Sequence, residues 1–387
     1  MSNLKLENTI VSVAWLHENA HAPNLVILNA TIPKIVDGVS VFPEVVQIPN
    51  TRFFDIKKKF SNVADAFPSA FPSEAQFTAS AQALGINQDT AIVVYDEKGI
   101  YSSARVWWLF KAFGYENVAV LNGGFPEWKA KNLPIETKQE HEVITGSFQA
   151  KKQAGYMLFF DDIIKIQDDQ NYAILDARSS GRFLGTIPEP REGLRSGTIP
   201  NAKNLPFEDL LKDKKFIAKE EIQTLFNQAT NKKENLVFSC GSGITACVLA
   251  LGADMLGYKN IAVYDGSWTE YGALISKDNT MHWTKKELVA YTLLYAANSN
   301  FEEDNKERNL IIAKVDMQTF QKIHEEWEAD NDYQSIQKIQ AGLKEHNFTE
   351  ADIDKLLAEV KSMFFADGEF DVYERAMYRS LNKLFHV

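Results

Sequence analysis

Cysteine is nearly absent from this sequence: Cys240 and Cys247 are the only two in 387 residues. Two thiols so close together cannot build a disulfide framework, so a reducing compartment, the cytoplasm, is the expected setting. Long apolar runs are missing as well. None approaches the roughly 20 residues needed to cross a bilayer, and the opening MSNLKLENTI lacks the sections of a signal peptide. No membrane role is expected. Positive charge is in deficit: 41 Lys and Arg against 52 Asp and Glu leave a formal charge of −11. That excludes nucleic acid as the main partner, because phosphate binding takes a basic surface. A small anionic substrate needs only a local positive pocket and stays open. Low-complexity tracts are absent, and a composition 45% hydrophobic and 24% charged is that of a globular protein. The length exceeds one ordinary core, which implies two or three domains.

The chain contains a diverged internal repeat. LVILNA (Leu25–Ala30) returns as YAILDA (Tyr172–Ala177), AIVVYDEKG (Ala91–Gly99) as NLVFSCGSG (Asn235–Gly243), and GYENVAVLNGG (Gly114–Gly124) as GYKNIAVYDGS (Gly257–Ser267). Three landmarks in the same order at similar separations indicate duplication of a whole domain. The short apolar runs have the length of buried strands and are bounded by turn residues. Amphipathic segments such as Ser102–Phe113 and Thr245–Leu256 lie between them. This alternation predicts an α/β fold, a parallel sheet flanked by helices in each copy. In such sheets ligands bind beyond the carboxyl ends of the strands, where Cys240 falls. The polar stretch Ile135–Gly155 reads as a linker, giving expected domains 1–137, 138–283 and 284–387.

After Trp283 the strand-like runs vanish and helical signals take over. Thr284–Glu287 (TKKE) is a capping box, opening a helix expected to run to about Ala297. Thr349–Asp352 (TEAD) is a similar start, with Phe348 and Ile353 placed as a hydrophobic staple. ANSNF (Ala297–Phe301) recurs as ADGEF (Ala366–Phe370), so an all-α domain with a weak repeat of its own is predicted.

The loop Cys240-Gly241-Ser242-Gly243-Ile244-Thr245-Ala246 is the feature that carries chemistry. Two glycines allow a turn sharp enough for successive N–H groups to converge on one point. A helix expected to start near Thr245 adds its unpaired N–H groups and its dipole. A sulfur inside such a ring is favoured as a thiolate, and a persulfide anion would be held the same way. A structural cysteine needs no such surrounding. A cysteine phosphatase shares the cradle but requires an Arg to close the loop on the phosphoryl oxygens. The closing residue here is Ala246, and no Arg lies between Cys240 and Leu256, so the phosphatase reading fails. Cys247, expected about two turns along the following helix, reads as packed rather than as a resolving thiol.

With these residues in view, Val11–Trp283 resembles the tandem rhodanese family, and within it the mercaptopyruvate sulfurtransferase branch. Cys-Gly-Ser-Gly-Ile-Thr is similar to that branch's loop, whereas thiosulfate-specific members resemble Cys-Arg-Lys-Gly. Thiosulfate, a dianion, benefits from cations in the loop. Mercaptopyruvate carries its charge on a carboxylate some atoms from the sulfur. The resemblance implies two rhodanese-like domains, no cofactor and no metal. It also implies a small-molecule sulfur donor, and an acceptor that is cyanide or a thiol such as thioredoxin or a small thiol. Cys240 and Ser242 would be catalytic. Gly241, Gly243, Ile244 and Thr245 would bind substrate with the loop. Gly181–Arg191 (GRFLGTIPEPR) matches the family's carboxylate-binding segment, which assigns Arg182 and Arg191 to the clamp, a use suited to bidentate guanidinium groups. Asp176 and Arg178 also match and read as structural. Asp96 occupies the position of Cys240 in the first copy, and a carboxylate cannot carry sulfane sulfur, so that copy is expected to be inactive.

The match breaks in the first copy. The family often places an Asp and a His near the cleft. The corresponding stretches here are Asp55-Ile56-Lys57 and Ser69-Ala70-Phe71-Pro72, putting Lys57 and Ser69 at those positions. His-assisted proton transfer is therefore in doubt, and Lys57, within Lys57–Lys59, reads as an exposed lysine. The loss leaves room for a non-catalytic sulfur- or stress-sensing adaptor as the alternative function. The turns around Asp367, Glu369, Asp371 and Glu374 resemble the tellurite-resistance B-type helical domains. That resemblance implies partner binding or dimerisation, with weak metal binding as a lesser option beside plain helix-start carboxylates.

Overall fold

The computed structural model describes residues 3–36, 39–191, 193–275, 283–298, 305–365 and 370–386. They divide into two compact units, Met1–Ala273 and Leu274–Val387.

The first unit holds two five-stranded parallel sheets of the same topology. Across one sheet, in spatial order, run Ile10–Val11, Val118–Leu121, Ala91–Tyr95, Leu25–Asn29 and Thr51–Phe53. Across the other run Met157–Leu158, Asn260–Tyr264, Asn235–Ser239, Tyr172–Asp176 and Lys203–Asn204. The repeat read from sequence therefore maps strand for strand. The pairing registers agree too: Ile27 stands opposite Val93 in one copy and Ile174 opposite Val237 in the other. The central strands Ala91–Tyr95 and Asn235–Ser239 are buried, which is why they read as continuous apolar runs rather than alternating ones.

Equivalent helices follow the equivalent strands. Ser103–Ala112 is buried along its whole length, and Ala246–Leu256 through Ala253. The second is apolar on every side over that span and must be covered on every side, while the first also buries Arg105 and Lys111. These two meet each other and share one core between the copies, with Trp107, Trp108, Leu249 and Ala250 inside it. The catalytic-loop candidate is thus anchored to this shared buried core. The Ile135–Gly155 connection is irregular except for Glu136–Thr137, which pairs with Val46–Gln47.

The second unit is helical: Lys285–Ala297, Asn305–Ile312, Met317–Ala329, Asp332–Glu345, Glu350–Phe364 and Val372–Phe385. Thr284 and Thr349 cap their helices in reciprocal boxes with Glu287 and Asp352, as read from sequence. Phe348 and Ile353 both pack on the unit's core, beside Leu288, Tyr291 and Leu294. Asp371 and Glu374 form a further capping box, which gives those two carboxylates a structural use. Asp367 and Glu369, and most of the ANSNF and ADGEF turns, lie outside the described residues. Among the described residues no helix is long and apolar enough to cross a membrane.

Candidate active site

Cys240 sits at the carboxyl end of Asn235–Ser239, a strand inside the second sheet, and is 2% exposed. With Gly241, Ser242, Ile244 and Thr245 it lines a cavity of about 360 Å³, closed by Tyr101, Arg182, Glu189 and Arg191 among others. The fold thus brings together in one cavity every site residue read from sequence except Gly243.

Gly243 lies behind that wall, and the expected ring of amides needs a correction there. Ser267 Oγ accepts from the N–H groups of both Cys240 and Gly243, at 3.1 Å each, and donates to the Tyr264 carbonyl. Those two amides are therefore committed and cannot serve a sulfur anion. The N–H groups of Gly241, Ser242, Ile244 and Thr245 are left for that purpose. Gly243 matters for its backbone instead. Its φ is +71°, and a Cβ there would meet the Asp265 carbonyl at 2.6 Å and the Arg105 guanidinium at 3.2 Å. Ser267 itself has φ +52°, in the left-handed region that costs a residue with a Cβ about 1 kcal/mol or more. The matching residue in the first copy is Gly124, at φ +54°. A serine in that strained place is explained by what its hydroxyl holds.

The first copy displays what such a loop does with an anion. The Asp96 carboxylate accepts N–H bonds from Lys98, Gly99, Tyr101 and Ser103 at 2.9–3.0 Å, and one from the Ser103 hydroxyl at 2.7 Å. Its cradle is filled by its own side chain, whereas the Cys240 loop faces a cavity.

The arginines are organised by a carboxylate that the sequence reading did not single out. Glu189, its side chain 1% exposed, bonds Arg178 at 2.8 Å and Arg182 at 2.5 Å. Its position inside Gly181–Arg191, between two arginines, was the available signal. Arg178 also grips Asp176 and the Gly197 carbonyl. Burial opposes its charge, but the two carboxylates more than offset it and hold its pKa above the ordinary value. Arg182 lies against the loop, its guanidinium 3.0 Å from where a Cβ on Gly241 would sit. Because Glu189 occupies part of its fork, Arg182 is only partly available to a substrate. Arg191 is half-buried and donates to the Thr269 hydroxyl, which donates onward to the Gly241 carbonyl. Burial lowers its pKa and Arg182 adds to that, while Cys240 opposes it.

Lys57 corrects a second expectation. Lys58 and Lys59 are exposed, but Lys57 turns inward and donates to Ser69 Oγ at 2.7 Å. The two positions where the family often has Asp and His are thus paired here by different chemistry. His141 is bonded to Glu136 at 2.7 Å and lines another cavity, with Arg52 and Lys138. Arg105, fully buried, reaches Asp265, the Ser69 carbonyl and the Gly243 carbonyl, joining the first copy to the back of the cysteine loop.

Cys247 lies in the first turn of its helix, not two turns along, because the helix begins at Ala246. Its thiol contacts the Gly243 carbonyl, and burial pushes its pKa up to about 12. At neutral pH it is a packed, protonated thiol. Alkylation of the native protein at pH 8 is expected to add one label, on Cys240, as read by peptide mass spectrometry. Labelling of Cys247 at a comparable rate would contradict the packing described.

Residues 12–131 and 160–274 match the rhodanese-like domain family. The chain is 37% identical over 294 residues to thiosulfate/3-mercaptopyruvate sulfurtransferase 1, mitochondrial, of Arabidopsis thaliana, covering 70% of this chain and 77% of that protein. It is 36% identical over 281 residues to the 3-mercaptopyruvate sulfurtransferase of Mus musculus, covering 70% and 94%. Among solved structures, that of a 3-mercaptopyruvate sulfotransferase from Escherichia coli superimposes with a TM-score of 0.59 at 30% identity, covering 67% and 99%.

Proposed function

The chain belongs to the rhodanese-like family and is a sulfurtransferase, and from that premise we propose that Cys240 carries the sulfur, taken from 3-mercaptopyruvate, as a persulfide. The observation that supports this most directly is the cavity in which Cys240, a neutral loop and two guanidinium groups face one another. The Cys240 thiolate attacks the donor's sulfur while Arg191, with Arg182 beside it, holds the carboxylate. The free loop amides and the Ser242 hydroxyl stabilise charge on sulfur, as preorganised donors do at an oxyanion. A thiol such as thioredoxin or a small thiol, or cyanide in an assay, then takes the sulfur. Thiosulfate is the secondary donor, since the loop itself carries no cation to meet a dianion. No step calls for a cofactor.

Asp96, with its cradle filled, supports an inactive first copy that completes the cleft. The adaptor reading has no structural observation of its own, because Cys240 lines a cavity rather than a sealed loop. The free cysteines support a reducing, cytoplasmic setting. In this reading the domains divide near residues 137 and 283. The last is similar to tellurite-resistance B-type domains and serves a protein partner or a second copy.

Arg191→Ala tests the donor assignment. Loss of a charge-assisted, two-point grip is expected to raise KM for mercaptopyruvate by about tenfold or more, with a much smaller rise for thiosulfate. Steady-state kinetics with both donors reads the difference, and equal rises would remove the carboxylate role.

A further inference from the structure

The two copies support the loop after their central strand in the same way except at one position. The repeat aligns Gly124-Phe125-Pro126 of the first copy with Ser267-Trp268-Thr269 of the second. The middle residue does the same work in both. Phe125 N–H donates to the Asp96 carbonyl at 3.1 Å, and Trp268 N–H donates to the Cys240 carbonyl at 3.0 Å. The third residue does not. Thr269 donates its N–H, at 2.9 Å, and also its hydroxyl to the Gly241 carbonyl. Pro126 has neither donor. The copy without a nucleophile keeps the scaffold contact and lacks the one beside it.

The N–H groups of Trp268 and Thr269 belong to the start of the helix Ser267–Leu274, where backbone donors have no partner inside the helix. The loop carbonyls take both. In a planar trans peptide the carbonyl and the following N–H point opposite ways. Holding the Cys240 and Gly241 carbonyls to this helix therefore turns the Gly241 and Ser242 N–H groups away from it. These are two of the four amides that Ser267 leaves uncommitted.

The Thr269 hydroxyl also reaches the other end of the cavity, where it accepts from Arg191 Nη1. Among the described residues it is the only hydrogen-bond partner of Arg191. The two clamp arginines are thus anchored by different chemistry. Arg182 is held by the Glu189 carboxylate, which offsets its charge before any donor arrives. Arg191 is held by a neutral hydroxyl. One bond fixes the plane of its fork and leaves the charge and the remaining N–H groups for a carboxylate.

Arg191, Gly241 and Ser242 line the Cys240 cavity, and Thr269, 7% exposed, ties the first of them to the other two. We propose that Thr269 is the positioning residue that selects a carboxylate-bearing donor, its hydroxyl setting the separation between Arg191 and the loop amides. The role rests on Arg191 being the carboxylate ligand. Mercaptopyruvate, with a carboxylate three bonds from its sulfur, spans both ends. Thiosulfate has no second end to place.

The test is steady-state kcat/KM for mercaptopyruvate and thiosulfate in Thr269→Val, Thr269→Ala, Thr269→Ser, Arg191→Ala and the double variant Thr269→Val with Arg191→Ala. Valine keeps the shape and the N–H bond to Gly241 and removes only the hydroxyl. Loss of one hydrogen bond to a charged group is expected to lower the mercaptopyruvate-to-thiosulfate ratio by about tenfold, mainly through KM. Thr269→Ser, which keeps the hydroxyl, should stay within about twofold of wild type. Thr269→Ala should match Thr269→Val, and decides the matter if the valine variant misfolds. The double variant should have the ratio of Arg191→Ala alone, because the hydroxyl acts through that guanidinium. A hydroxyl that only supports the fold would weaken both donors alike, and that result overturns the proposal. So does a ratio in the double variant that falls about tenfold below that of Arg191→Ala. A lowered ratio in Arg191→Ala beside an unchanged one in Thr269→Val and Thr269→Ala overturns this inference alone. An unchanged ratio in Arg191→Ala overturns the carboxylate assignment and this inference with it.

Discussion

Cys240→Ser is expected to lower turnover of mercaptopyruvate and thiosulfate alike by roughly 10³-fold or more, leaving the fold intact. Serine is nearly isosteric and keeps the backbone bonds from Cys240 N–H to Ser267 and from Trp268 N–H to the residue 240 carbonyl. Its hydroxyl, however, is far too weak an acid to attack as an anion and cannot hold sulfane sulfur. The measurement is steady-state release of pyruvate or sulfite, with the intact mass read after donor alone. Wild type should gain the mass of one sulfur atom, and the variant none. Should thiosulfate outrun mercaptopyruvate in wild type, the neutral-loop argument is wrong and the nucleophile survives. If wild type turns over neither donor, the replacements at Lys57 and Ser69 become the leading fact, and the adaptor reading gains the observation it lacks.

Asp265→Ala is expected to destabilise the first unit by about 3–5 kcal/mol, the range for breaking a buried ion pair by removing one partner. Asp265 and Arg105 are 2.6 Å apart, with side chains 6% and 1% exposed. The same carboxylate accepts the Phe71 N–H at 2.6 Å, and the same guanidinium holds the Ser69 carbonyl. Removing the carboxylate leaves a guanidinium without its counter-charge and an amide without its acceptor. For a unit of this size the loss corresponds to a fall in Tm of roughly 10 °C, measured by calorimetry. The double variant Arg105→Met with Asp265→Leu should recover most of it, since an apolar pair of similar volume needs no desolvation offset. A single variant within about 1 kcal/mol of wild type would show that the pair is not what joins the copies.

Much of the candidate site was legible because it is contiguous. Cys240 through Thr245 is one loop, and a strand before it and a helix after it are sufficient to aim it. Arg182 and Arg191 lie in one short segment, so their motif could be read, although Glu189 between them was overlooked. The capping boxes at Thr284 and Thr349 follow from spacing alone, because each is closed within a single turn.

Other features were not readable in this way. Lys57 looked like one of three solvated lysines, and nothing in KKK says which of them turns inward. Its partner Ser69 is 12 positions away, and Asp265 is 160 positions from Arg105. Ser267 is only the last residue of a repeat landmark in the sequence, yet it takes two amides from the loop where the sequence implied a complete ring. Sequence by itself determined the duplicated α/β architecture, the helical region and the loop that carries Cys240. Each of these is set by hydrophobic periodicity and by turn and cap chemistry acting over a few residues. Only the tertiary structure decided which N–H groups are free, how the arginines are shared and which lysine turns inward. Those outcomes depend on burial and on partners far away in the chain, and a hydrogen-bonding group commits to whichever partner packing brings within 3 Å.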